Sequence, residues 1–136
     1  MSGNSKKQNI MRFVQNTLGC QCAEEVFNSI ELERDRIPND ETGFVKMVIG
    51  HKLLIYIVKP ASKGLIDHAV QMLTEMGILE SDNRGYNRFR LVLAKHSDDA
   101  ISHTVIDDFQ KNVGHDDKAH IHIVSIKELP EVPEIS

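Results

Sequence analysis

Apolar residues recur along the chain with two different periods, and the changes of period mark its elements. Ile10, Phe13, Val14, Thr17 and Leu18 fall at helical spacing. That spacing predicts a helix from about Gln8 to Leu18, stopped by Gly19 as a glycine stops a helix at its C-terminus. A second helix is expected from about Ala23. Glu24 and Glu25 would fill its first turn, where the dipole favours acids, and Val26, Phe27 and Ile30 would be its apolar face. Residues 34–43, with Pro38, read as a surface loop.

The period then falls to two. Phe44 to Ile49 and Lys52 to Val58 read as strands, and Gly50-His51 suits a two-residue hairpin turn. Leu53 to Val58 is apolar throughout, which predicts a central strand buried on both faces. Ser62 can cap a helix running to about Met76, with Leu65, Ile66, Ala69, Val70 and Leu73 inward, and Gly77 is expected to end it. A loop from Ser81 to Asn87 leads to a strand, Arg88 to Ala94, in which Phe89, Leu91 and Leu93 alternate with Arg88, Arg90 and Val92. Ser97 or Asp98 caps a further helix to about Val113, closed by Gly114, and the last strand is His120 to Ile126.

The order α-α-β-β-α-β-α-β defines an α/β fold in a single domain. Its sheet is expected to be mixed and four-stranded, a β-hairpin followed by two βαβ crossovers, covered by helices and preceded by two N-terminal helices. The first strand would be an antiparallel edge and the last three would be parallel. Residues 1–8 read as a disordered polar lead, 9–127 as the domain, and 128–136, with Pro130 and Pro133, as a flexible tail.

Composition narrows the function classes. With 136 residues the chain can bury a core without disulfides or metal. A net charge of −4 argues against broad nucleic-acid binding, which rests on phosphate neutralisation, but leaves room for one local basic patch. Trp is absent and aromatics make up 5%, too few for a base-stacking platform. No apolar run is long enough to span a membrane, and Met1 to Gln8 lacks the apolar core of a secretory signal. A cytoplasmic location without membrane partners is therefore expected.

The concentrated chemistry is Cys20-Gln21-Cys22. Two thiolates this close could grip a borderline ion such as zinc, with other ligands completing the shell. They could instead perform thiol–disulfide chemistry, or ligate a cluster, although iron–sulfur clusters usually need four protein ligands. Glu24 and Glu25 oppose a thiolate and suit a cation, which favours metal over redox. Two inert thiols at a helix start are the plain alternative.

His120 and His122 alternate with Ile121 and Ile123 and so point to one strand face, with His115 close by in sequence. With Cys20 and Cys22 they would complete a Cys2His2 zinc shell; otherwise they are ordinary sheet-face histidines. His51, His68, His96 and His103 read as structural. Arg84-Gly85-Tyr86-Asn87-Arg88-Phe89-Arg90 is the most basic segment. Arg84, Arg88 and Arg90 are candidate ligands for an anion or an anionic protein partner, or else outward side chains paired with acids. No phosphate loop, dinucleotide fingerprint or serine elbow occurs.

Four segments resemble a family of small uncharacterised prokaryotic proteins. They are Thr17-Leu18-Gly19-Cys20-Gln21-Cys22-Ala23-Glu24-Glu25-Val26-Phe27, Leu53-Leu54-Ile55-Tyr56, Tyr86-Asn87-Arg88-Phe89-Arg90 and His120-Ile121-His122. The family pattern has proline where this chain has Ala23, a change that leaves a helix start intact. The resemblance implies no activity but marks the same residues. The expectation is therefore a small cytosolic protein with a metal or thiol site at Cys20 and Cys22. The competing expectations are a thiol–disulfide redox protein and a non-catalytic interaction module.

Overall fold

The computed structural model describes residues 2–37, 43–59, 63–95, 103–113 and 118–130. Three helices, α1 (Ser2–Arg12), α2 (Lys63–Arg84) and α3 (His103–Val113), accompany five strands. The strands are β1 (Ile30–Arg36), β2 (Gly43–Ile49), β3 (Leu53–Val58), β4 (Arg88–Lys95) and β5 (Ala119–Ser125). They form one mixed sheet in the order β1-β2-β3-β4-β5, antiparallel among the first three and parallel among the last three. The α/β architecture with a hairpin and two crossovers thus matches the sequence pattern. Every residue of β3 is buried, as expected of a central strand.

The sheet has five strands rather than four, because Ile30–Arg36 is a strand. The segment was expected to be partly helix and partly loop, since Val26, Phe27 and Ile30 suit helical spacing and Asp and Glu are poor strand formers. Pairing decides otherwise. Strand β1 lies along β2 from Ile30 opposite Ile49 to Arg36 opposite Gly43, so β2 is not the edge. Ile30 and Leu32 pack against the core below while the five charged residues of the strand are exposed. The helix expected from Ala23 shrinks to one 3-10 turn, Glu24–Asn28, whose N-cap lacks a side-chain hydrogen bond.

Two other boundaries move. Helix α2 runs through Gly77 to Arg84, where a stop and a loop were expected. A Cβ at position 77 would overlap the Phe89 ring. Glycine is there because helix and strand approach closely, not because the helix ends. Helix α1 begins at Ser2, inside the stretch expected to be a disordered lead. Its anchored end at Ile10, Phe13 and Val14 lets the helical ladder extend backward, and Lys7 Nζ donates to Asn28 Oδ1 at 2.7 Å. The stop at Gly19 occurs as expected. Gly19 has φ +70°, and Cys20 N–H donates to Val14 C=O at 3.0 Å, closing the helix end. At the other terminus Leu129 is buried in the core, and residues 131–136 of the expected tail lie outside the described residues.

Helices cover both faces of the sheet. Ala69, Val70 and Leu73 of α2 and Val105, Phe109 and Val113 of α3 pack on Leu54, Tyr56, Val58, Phe89, Leu91 and Leu93. Both crossovers step across the sheet in the same direction, so one hand of connection places both helices on this face. On the opposite face Ile10, Phe13, Val14, Leu18 and Phe27 cover Met47, Ile49, Leu53, Ile55, Ile57, Val92, Ala94 and Val124. Cys20 and Cys22 pack against this second core.

Candidate functional site

Alternation along β4 and β5 fixes which side chains meet the cysteines. Val92, Ala94 and Val124 face α1, so Arg88, Arg90, His120 and His122 lie on that same face. Arg90 stands opposite His120, and Val92 opposite His122. Arg88 is beside Leu53 and Arg90 beside Ile55. The four polar residues therefore form a contiguous patch at the amino ends of the parallel strands.

The chain returns to this patch after α1. The last turn, Phe13–Thr17, widens to a π turn, and Leu18 N–H donates to Phe13 C=O at 3.1 Å. Gly19 then reverses direction, and Gln15 Nε2 donates to Cys22 C=O at 3.0 Å. Cys20 and Cys22 are joined by a disulfide, with Cα atoms 5.3 Å apart. Both are half-buried, so one side of the pair is open to solvent. Arg88 Nη1 points at Cys20 Sγ from 3.9 Å.

Among the described residues the electrostatics of the patch are one-sided. Arg90 Nη1 donates to the carbonyls of Phe89, at 3.2 Å, and Lys118, at 3.1 Å. Burial, and then the charge of Arg88, push its guanidinium below the ordinary arginine value, although a guanidinium stays charged. His122 is also held below the ordinary histidine value, first by burial, then by Arg90 and His120. Its Nε2 is buried without a hydrogen-bond partner among the described residues. Among those residues neither Arg88 nor Arg90 is paired with a carboxylate.

The expected site residues therefore divide. Cys20, Cys22, Arg88, Arg90, His120 and His122 share one face. Cys20, Cys22, His120 and His122 do not close into one shell, since no group of three or more His, Cys, Asp or Glu among the described residues could hold a metal ion. Arg84 separates from the other two arginines. It sits on the last turn of α2, with Nε 3.6 Å from Glu80 Oε2. Glu80 also accepts a hydrogen bond from Tyr56 Oη and an ion pair from Lys46. Burial, then the Glu80 hydrogen bond, push the Tyr56 hydroxyl far above the ordinary tyrosine value. Periodicity gives no sign of this cluster on the α2 face. Its one trace in the sequence is Lys46 at an inward position of an apolar strand. His51 takes part in the hairpin turn at φ +56°, with Nε2 2.9 Å from Ser29 Oγ. His115 lies outside the described residues.

Among the described residues no helix is long and apolar enough to cross a membrane. No family model, curated protein or solved structure matches the chain. The class its fold and site define is a three-layer α/β domain with a vicinal cysteine pair set against a basic strand face.

Proposed function

We propose that this protein is a cytosolic thiol–disulfide exchange protein whose reactive pair is Cys20 and Cys22. The single observation that carries this reading is the pairing of the two sulfurs beside the Arg88 guanidinium. A cross-link over so short a loop contributes on the order of 1–2 kcal/mol in the chain-entropy account, well below that of a long loop. Stability is thus a poor reason for the bond, and reactivity a better one. In a reducing compartment a cysteine pair that closes is typically transient and catalytic.

The reduced protein would act in two steps. Cys20 sulfur, its thiolate stabilised by Arg88, attacks one sulfur of a substrate disulfide. The substrate S–S bond breaks and one half leaves as a thiolate. Cys22 then attacks the Cys20 sulfur of the mixed disulfide and releases the second half. The protein is oxidised by two electrons, and the two cysteine protons end on the two product thiols. The acids Glu24 and Glu25, expected to weaken thiolate formation, are exposed, so the high dielectric of water weakens their influence as it does that of the exposed Arg88.

The test is trapping. The reduced full chain is mixed with 2-hydroxyethyl disulfide and followed by intact mass. Cys22→Ser should accumulate a stable mixed disulfide on Cys20, and Cys20→Ser should react several-fold more slowly. Equal behaviour of the two variants would overturn the assignment of roles, and no reaction in the parent would overturn the function.

A further inference from the structure

Arg90 raises a question that exchange chemistry alone does not answer. It is half-buried, it stands beside a second arginine, and no carboxylate compensates either among the described residues. A partly desolvated cation beside a like charge is unfavourable unless an anion joins it. Spare donors remain, since Arg90 uses Nη1 on two carbonyls and a guanidinium carries five N–H groups. The two arginines stand one pleat repeat apart on one strand face, about 7 Å along the backbone, and each guanidinium can take a carboxylate bidentately. The chain as a whole carries −4, so the positive face is local rather than general.

We infer that the substrate of the Cys20–Cys22 pair is a small disulfide bearing carboxylates a few atoms from its sulfurs, held by Arg88 and Arg90. Arg88 reaches Cys20 Sγ from 3.9 Å, so a carboxylate gripped there sits one short side chain from the attacked sulfur. Arg90, one repeat further along β4, takes the second carboxylate or the second oxygen pair. The inference rests on the exchange reading, and it adds charge selection to it. In the reaction the substrate S–S bond is cleaved, its two halves leave as carboxylate-bearing thiols, and the protein retains the oxidised pair.

Three disulfides of similar length test this. They are 3,3′-dithiodipropionate (dianionic), 2-hydroxyethyl disulfide (neutral) and cystamine (dicationic). Initial exchange rates of the reduced full chain are measured with each at low salt, beside Arg90→Gln and the Arg88→Gln/Arg90→Gln pair. The dianion should react about tenfold faster than the neutral compound, and the cation slowest. The advantage should shrink toward unity in the double variant and at high salt, as electrostatic selection requires. Rescue of the preference by Arg90→Lys separates charge from packing. Equal rates for the three compounds, or a preference that survives removal of both arginines, overturn the inference and leave the exchange function standing. Reaction with none of the three overturns both.

Discussion

Replacing Arg88 with Gln removes a positive charge 3.9 Å from Cys20 Sγ and little packing, since Arg88 is exposed. Coulomb's law gives about 1 kcal/mol at that separation with the dielectric of water, and solvent access keeps the figure near this lower limit. The thiolate of reduced Cys20 should therefore be about fivefold less populated at neutral pH. The more basic thiolate that remains is more nucleophilic, by roughly twofold for a Brønsted slope of about 0.4–0.5. The two effects leave a net slowing of about 2.5-fold. The assay is alkylation by iodoacetamide, an uncharged reagent, in a Cys22→Ser background so that one thiol is counted. Arg88→Lys should keep most of the parent rate, and high salt should slow the parent more than the Gln variant. A rate in Arg88→Gln equal to the parent at low salt would refute the contact between guanidinium and sulfur as a source of reactivity.

Gly77→Ala should lower stability even though alanine is the better helix former by about 1 kcal/mol. The new methyl meets the Phe89 ring, which is buried and edge-on to Tyr56 at 5.2 Å between centroids, and overpacking of this kind costs about 1–3 kcal/mol. Thermal or urea unfolding checks it: Gly77→Ala/Phe89→Leu should recover part of the loss, and a Gly77→Ala protein more stable than the parent would contradict the packing. His122 adds a pH dependence. Its folded value lies below the unfolded value of about 6.5, so the unfolded state binds the proton more readily. The stability it contributes is present above about pH 6.5 and is lost as pH falls through the folded value. The slope stays below about 1.4 kcal/mol per pH unit, reduced further by partial exposure. His122→Gln should flatten the dependence of stability on pH below about 6.5, and an unchanged slope would remove His122 as its source.

Much of the fold was legible because burial imposes periods on the sequence. The all-apolar run Leu53 to Val58 could only be central, and the pair Gly50-His51 marked a turn in which both residues have positive φ, 62° and 56°. Strand β1 was hidden because an edge strand buries little. Ile30 and Leu32 carry its inward face among five charged residues, and its strand state comes from backbone pairing to β2. Gly77 misled for a related reason. A glycine that ends a helix and a glycine that admits an aromatic ring look alike until the facing strand is known. At the site, alternation alone put Arg88 with Arg90 and His120 with His122. That these rows face α1, beside the cysteines, is a property of the sheet's register. Arg84 shows the limit in the other direction, since four residues of sequence carry it from β4 back to α2 and Glu80.

The most direct test of the central claim is a redox titration of the full chain in defined thiol–disulfide buffers, quenched by alkylation and read by intact mass. A reversible two-electron transition between forms carrying two alkyl groups and none, within roughly −120 to −300 mV, is the predicted result, and it should be absent in Cys20→Ser. A pair that remains fully reduced in the most oxidising buffer, or that holds one zinc ion per chain in a manner abolished by the Cys20→Ser and Cys22→Ser changes, would contradict it.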